Sequence, residues 1–415
     1  MRPRSLALAF LLSSSLVAGA GCAAQTDDSP AADSEDVTSS VTTKALVKSN
    51  TAFASDLYGE ISAGDDNVFF SPYSISSALA MTYAGAKKGT ATAMKGALHF
   101  PSGNVHPAFK NLAGELAKRN SDTFQLNVAN SLWGEKTQHF ETAFTKLLDT
   151  DYGAGLEQAD FKNKADAERT RINGWVEDKT NDKIKDLLPQ GILKSDTKLV
   201  LVNAIYFKAA WANPFLAANT KKEPFTTMGG QKVSVDMMFE HKHMQYAGDA
   251  GYDAIALPYK GGDVELVAIA PKAGKLDSFE KGLDEKTIDD IRGKMDDAEV
   301  NLKLPKFKIA GSSIKLKDQL TKLGMGVAFT DDADLSGITG KSDTKISDVV
   351  HKAFIDLDEK GTEAAAATAV IVIGKTAVMP HPTIDVTFDR PFVFVIRDVP
   401  TGTILFMGRV ANPKQ

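Results

Sequence analysis

The run KLVLVNAIYF, residues 198–207, limits the fold more than any other stretch of the chain. It is nearly continuous in apolar side chains, and its β-branched content favours strand. A strand that alternates can leave one face in water, but one that is apolar throughout needs cover on both. With 415 residues, 43% of them apolar, the chain has enough material to supply it.

The cover is legible on both sides of that run. Phe53, Leu57 and Ile61 recur at four-residue spacing, the stripe of an amphipathic helix. Ser71 followed by Pro72 has the form of a helix cap with proline at the first helical position, opening a helix through Ile75, Leu79 and Tyr83. A third helix is predicted over residues 172–188, stopped by Pro189. After residue 198 strands dominate. DAIALPYKGGDVELVAIAPK reads as two strands about the turn Gly261-Gly262, VNLKLPKFKI alternates around Pro305, and RPFVFVIRD and GTILFMGRVANP are two more. Helices crowd the first half and strands the second, which predicts an α+β fold with a large, mostly antiparallel sheet. No second linker or repeat follows Lys44, so residues 44–415 read as one domain.

The start of the chain reads as an address. Arg2 and Arg4 precede an apolar run over residues 5–17 and the small residues Ala18, Gly19, Ala20 and Gly21, the pattern of an export signal too short to span a bilayer. LVAGAGC resembles the lipobox of bacterial lipoproteins, in which the cysteine becomes the lipidated first residue. That implies attachment to a membrane through Cys22. Gly19 departs from the aliphatic residue usual there, so an ordinary signal peptide, with Cys22 idle, stays open beside it. Residues 22–43 are acidic and poor in large apolar groups, a disordered tether. The protein is expected outside the cell or lipid-anchored at its envelope.

Several chemistries fail on their motifs. One cysteine excludes an internal disulfide, and a net charge of −5 without an aromatic-interleaved basic patch gives no support for nucleic-acid binding. GxSxG and HExxH are missing. GITGKS imitates a phosphate loop with Leu335 where glycine is required. DADLSGITGKSD imitates a calcium loop, but Asp343 stands in place of the bidentate glutamate. His241 and His243 in EHKH share a strand face without a third ligand. The expectation is a protein that is not an enzyme and has no metal or cofactor.

DEKGTEAAAATAVIVIGKTAVMP, residues 358–380, is the unusual segment. Small residues and helix formers follow Gly361, then a β-branched run, then Lys375 before a proline-containing stretch. Such a piece could be helix, loop or strand.

Taken in order, NVFFSPYSISSALAMTYAGAKKGTA, INGWVEDKTNDKIKDLL, LVNAIYFKAAWANPF, LKLPKFKI, ADLSGI, VVHKAFIDLDEKGTEAAAATA and RPFVFVIRDVPTGTILFMGRVANP resemble the serpin family over residues 44–415. The resemblance implies three β-sheets with about nine helices, and an exposed reactive-centre loop above a five-stranded central sheet that can accept a sixth strand. It implies a hydrogen-bond cluster, the shutter, formed by Ser71, Ser74, Asn203 and His351. It places Trp211, with Ala209 two residues before it where glycine is usual, and Lys306, paired with Glu359, at the top of the sheet where the loop enters. The hinge would comprise Glu359, Gly361, Thr362, Glu363, Ala364, Ala365, Ala366, Ala367 and Thr368. On insertion Thr362, Ala364, Ala366, Thr368, Val370 and Val372 would face inward, Glu363, Ala365, Ala367 and Ala369 outward.

Counting sixteen positions from Glu359, as in inhibitory members, gives Lys375 as the reactive residue, with the cut before Thr376. The implied partner is a trypsin-like serine protease. It would be trapped irreversibly as an acyl-enzyme when the cleaved loop, roughly residues 359–375, enters the sheet, the inhibitor being expected as a monomer. About two dozen backbone groups satisfied at ~1 kcal/mol each would make the intact form metastable. The alternative is a non-inhibitory serpin: a carrier, a chaperone or a plain protease substrate.

Overall fold

A computed structural model of the chain describes residues 40–310, 313–363 and 382–414. The expectations for the signal segment, Cys22, Ala364, Ala365, Ala366, Ala367, Thr368, Ala369, Val370, Val372, Lys375 and Thr376 fall outside the described residues.

The first helix, Thr43–Ile61, starts where the Thr42 hydroxyl accepts from the Ala45 amide at 3.2 Å, and it buries Leu46, Phe53 and Leu57. The helix Pro72–Tyr83 opens as its sequence suggests, with Ser71 Oγ accepting from the Ser74 amide at 3.2 Å. Every residue from 72 to 82 is buried, a pattern possible only for a helix between layers. The third helix differs from its prediction. It runs Phe161–Lys179, because Asn181 and Asp182 adopt left-handed φ of 51° and 60° and end it well before Pro189. Ten α-helical stretches occur among the described residues, several only one turn long, against about nine expected.

The central sheet is built on the strand Leu199–Ala210, which is buried along almost its whole length. One edge pairs antiparallel with Phe124–Glu135, which in turn pairs with Leu156–Ala159. The other edge has two regimes. Residues 201–205 pair in parallel with Val349–Ala353. Above them, Ile355–Asp358 stands off, and Gly361–Thr362 lies between, antiparallel to both neighbours. Phe307–Ile309 and Ile314–Lys315 close the far side.

The other strands form the second and third sheets, joined by Lys232–Gly248. Its residues 245–248 pair with Tyr252–Pro258 and its residues 237–246 with Asp296–Pro305, so one strand serves both. Tyr252–Pro258 and Val264–Pro271 form the predicted hairpin, with Gly261 and Gly262 at φ of 101° and 80°. Phe392–Asp398 and Ile404–Val410 extend that sheet. Pairing is mixed, since Ile384–Thr387 also runs parallel to its neighbour.

The main core fills the space between the sheets, where Phe406 stacks on Phe69 at 5.1 Å and meets Phe207 at 5.4 Å. A smaller cluster lies on the opposite face, where Phe161, Ile172, Val176, Ile184, Leu187 and Leu188 cover Val200, Val202, Ala204 and Val350. Both faces of KLVLVNAIYF are therefore dry, as its composition demands.

Arg409 is the largest buried charge in the described core. Its guanidinium meets the Glu280 carboxylate at 3.1 and 3.2 Å and the Ser62 and Asp66 carbonyls at 3.1 and 3.0 Å, while the Tyr58 hydroxyl donates to Glu280. Arg409→Met strands that carboxylate. It should lower stability by about 3–5 kcal/mol in chemical denaturation.

Candidate functional site

The two regimes along the edge of Leu199–Ala210 define the site: a slot in the central sheet, closed below and filled only at its mouth. At the mouth, Gly361 and Thr362 register against Ala210 and Ala209 on one side and Asp358 and Leu357 on the other. Glycine is required by close approach, since a Cβ at 361 would lie 2.1 Å from the Ala209 carbonyl oxygen. Thr362 is wholly buried, and its hydroxyl shares a 2.7 Å hydrogen bond with the Tyr259 hydroxyl. Tyr259 stacks on Trp211 with ring centroids 4.4 Å apart, and Trp211 Nε1 donates to the Asp358 carbonyl at 2.9 Å. Burial pushes the Tyr259 phenol far up, so it stays protonated and able to donate.

These placements correct one expectation. Gly361 and Thr362 belong to the sheet already, where an exposed loop was expected throughout. Glu363, whose outward position was expected only after insertion, here has a side chain 12% exposed and in an ion pair with Lys183. The physical reason is its backbone. At φ of 54° Glu363 leaves the strand and swings its carboxylate under the segment that follows the helix Phe161–Lys179.

Beside the mouth, Lys306 Nζ lies 2.9 Å from Glu359, which also accepts from the Thr220 hydroxyl at 2.8 Å. Partial burial of Glu359 opposes its ionisation, but the ammonium and the hydroxyl outweigh it and hold the carboxyl below its usual range. Because Lys306 is about one-third exposed, the pair adds little stability. The amides of Trp211 and Phe215 donate to the carbonyls of Lys360 and Glu359, stitching the mouth shut.

At the closed lower end the structure brings Ser71, Ser74, Asn203 and His351 together. The Ser71 amide donates to His351 Nε2 at 3.1 Å, so the ring carries its proton on Nδ1 and donates it to Asn203 Oδ1. Asn203 Nδ2 donates to Ser74 Oγ at 2.5 Å and to Asn130 Oδ1. Ser74 Oγ donates to Asn130 Oδ1 at 3.2 Å, and Ser71 Oγ donates to the Leu405 carbonyl at 2.6 Å. His351 and Asn203 are cross-strand neighbours in the parallel ladder, so opening the slot separates them.

Asn130 was missed by sequence reasoning, as were Tyr259, Thr220 and Lys183. Each lies far along the chain from the residue it serves. The signal available for Asn130 was one amide on the strand face that otherwise carries Phe124, Leu126, Val128 and Leu132.

A profile of the serpin family, described as serine protease inhibitor, matches residues 48–413. The chain belongs to the serpin family. It is 38% identical over 393 residues to Serpin B4 of Homo sapiens and 40% identical over 381 residues to leukocyte elastase inhibitor A of Rattus norvegicus, in each case covering 89% of this chain and 99% of the relative. Human thyroxine-binding globulin, crystallised with thyroxine, superimposes with a TM-score of 0.80 at 31% identity, covering 90% of this chain and all of that one. Uncleaved ovalbumin gives 0.78 at 26%, covering 89% and 100%. Serpins in general inhibit proteases and do not catalyse, although non-inhibitory members such as these last two share the fold.

In this serpin the remaining candidates are ordinary surface. His243 Nδ1 lies 2.8 Å from Asp297 and His241 Nδ1 lies 2.8 Å from Asn301, cross-strand pairs on an exposed face. Among the described residues no cluster of three potential metal ligands forms.

The buried histidine gives the site a pH signature. Desolvation pushes the His351 pKa down from 6.5 to about 3, and burial takes His106 to about 4. A depressed histidine stays neutral when folded while the unfolded chain takes up a proton. Stability is therefore full above pH 6.5 and declines as pH falls toward about 3. Thermal melting should show that slope, and His351→Gln should make it shallower, with His106 keeping the remainder, while lowering the plateau above pH 7.

Proposed function

We propose that this serpin is an irreversible suicide-substrate inhibitor of trypsin-like serine proteases. The observation that carries the reading is the seating of Gly361 and Thr362 between two strands, antiparallel to both. Strand addition has begun, and beyond Glu363 the residues that follow are small and uncharged, which suits its continuation.

The target's serine would attack the carbonyl carbon of Lys375, break the bond to Thr376 and leave an acyl-enzyme. A lysine at that position fits a specificity pocket with an acidic base. Released at one end, the loop advances into the slot and carries the bound protease with it, about 50 Å for ~15 residues at ~3.3 Å each. Distortion of the protease's oxyanion hole then blocks deacylation. The inhibitor supplies no catalytic group, only Ser71, Ser74, Asn203 and His351 as a closure that must part, and Trp211, Lys306 and Glu359 as the entrance. No cofactor takes part. The working form is a monomer exported from the cell, carried either free or on a lipid at Cys22. No helix among the described residues is long and apolar enough to cross a membrane.

Incubation with trypsin tests the reading. An SDS-stable complex of one inhibitor with one protease is expected, whereas cleavage alone marks a carrier or plain substrate. Thr362→Arg should convert the inhibitor into a substrate without unfolding it, because a charge cannot be left in the dry mouth beside Tyr259. Undiminished complex formation by that variant contradicts insertion.

A further inference from the structure

Two hinge residues, Gly361 and Thr362, are seated in the sheet, and the next, Glu363, departs from strand geometry. The Glu363 amide still donates to the Asp356 carbonyl at 2.8 Å, continuing the ladder by one bond. Glu363 itself then turns to φ of 54°, a conformation unfavourable for a residue with a side chain and one that ends a strand. Its carboxylate pairs with Lys183 Nζ. Beside it the Tyr206 phenol is pushed up by burial and by the Glu363 carboxylate, with Asn181 also in hydrogen-bond range.

Lys183 belongs to a cover. Residues 181–188 leave the helix Phe161–Lys179 and lie across the sheet face, with Ile184, Leu187 and Leu188 buried in the cluster that holds Val350 and Phe354. Asn173 pins that segment, donating to the Leu188 carbonyl at 3.0 Å and accepting from its amide at 2.8 Å. Lys352 Nζ donates to the Lys185 carbonyl at 2.8 Å, tying it to the strand Val349–Ala353. Lys183 Nζ also lies 5.8 Å over the Phe354 ring, at the break between Val349–Ala353 and Ile355–Asp358. One ammonium thus joins the hinge that must enter to the cover over the place where it must go.

We propose that Lys183 and Glu363 form a clasp that arrests the hinge at two inserted residues and sets the rate of further strand entry. Advance requires Glu363 to become extended, which breaks the pair, and requires the cover over Val350 and Phe354 to yield. The clasp works on both parts at once. This inference rests on the insertion reading, but its test needs no protease.

A synthetic peptide with the sequence of residues 362–375 is annealed to the intact protein, and incorporation is followed by native-gel mobility and by the rise in melting temperature. Lys183→Met and Glu363→Gln should each accelerate annealing about fivefold, the rate equivalent of a partly exposed ion pair. The double variant should be no faster than either single one, since both remove one interaction. Exchanging the charges, Glu363→Lys with Lys183→Glu, should restore slow annealing. Lys185→Met should change nothing, because that residue contributes its carbonyl. Unchanged rates in both single variants, additive effects, or failure of every variant to take up peptide overturns the clasp. If the variants anneal faster while the wild type captures no trypsin, the clasp stands and the inhibitory reading falls.

Discussion

Everything functional in this molecule depends on how one edge of the strand Leu199–Ala210 is satisfied. Below residue 205 it is paired in parallel with Val349–Ala353, and above that point the partner strand stands away. A parallel ladder is slightly weaker per residue than an antiparallel one. A strand running antiparallel to both neighbours would replace that single ladder with two of the better kind. Gly361 and Thr362 already pair antiparallel with both neighbours, and on the proposed mechanism they are the start of that exchange.

On that mechanism the barrier is made of small, specific contacts and not of bulk. At the closed end it is the chain of hydrogen bonds from Ser71 through His351 and Asn203 to Ser74 and Asn130, which ties two strands to the helix beneath them. At the mouth it is Trp211 and Tyr259, holding Thr362 from below while the backbone stitches residues 358–360 to 211–215. Buried polar networks of this kind hold only while complete, because each group left without its partner bears its full desolvation cost. Such an arrangement can be tight at rest and still open as a unit.

Much of this could be read from the sequence because the determining signals are local. The unbroken apolar run around Val200 and Val202 demanded cover on both faces, Ser71-Pro72 specified a helix start, and Gly261-Gly262 a hairpin. The shutter and hinge residues were placed by family resemblance, not by physics, and the structure brings four of them into direct contact. What escaped prediction is set by distance along the chain. Asn130 meets Ser74 and Asn203, and Lys183 meets Glu363, through contacts that no local pattern encodes. The third predicted helix began late and ran too far, because its apolar spacing continues past the point where two left-handed residues, Asn181 and Asp182, stop the real one, Phe161–Lys179.

The central claim is that the intact protein is held away from its most stable arrangement and that one backbone cut releases it. Melting temperature before and after limited cleavage at the bond between Lys375 and Thr376 measures this directly. The account expects the cut protein to melt well above the intact one, since the freed strand completes the sheet. Equal or lower melting after the cut would contradict it.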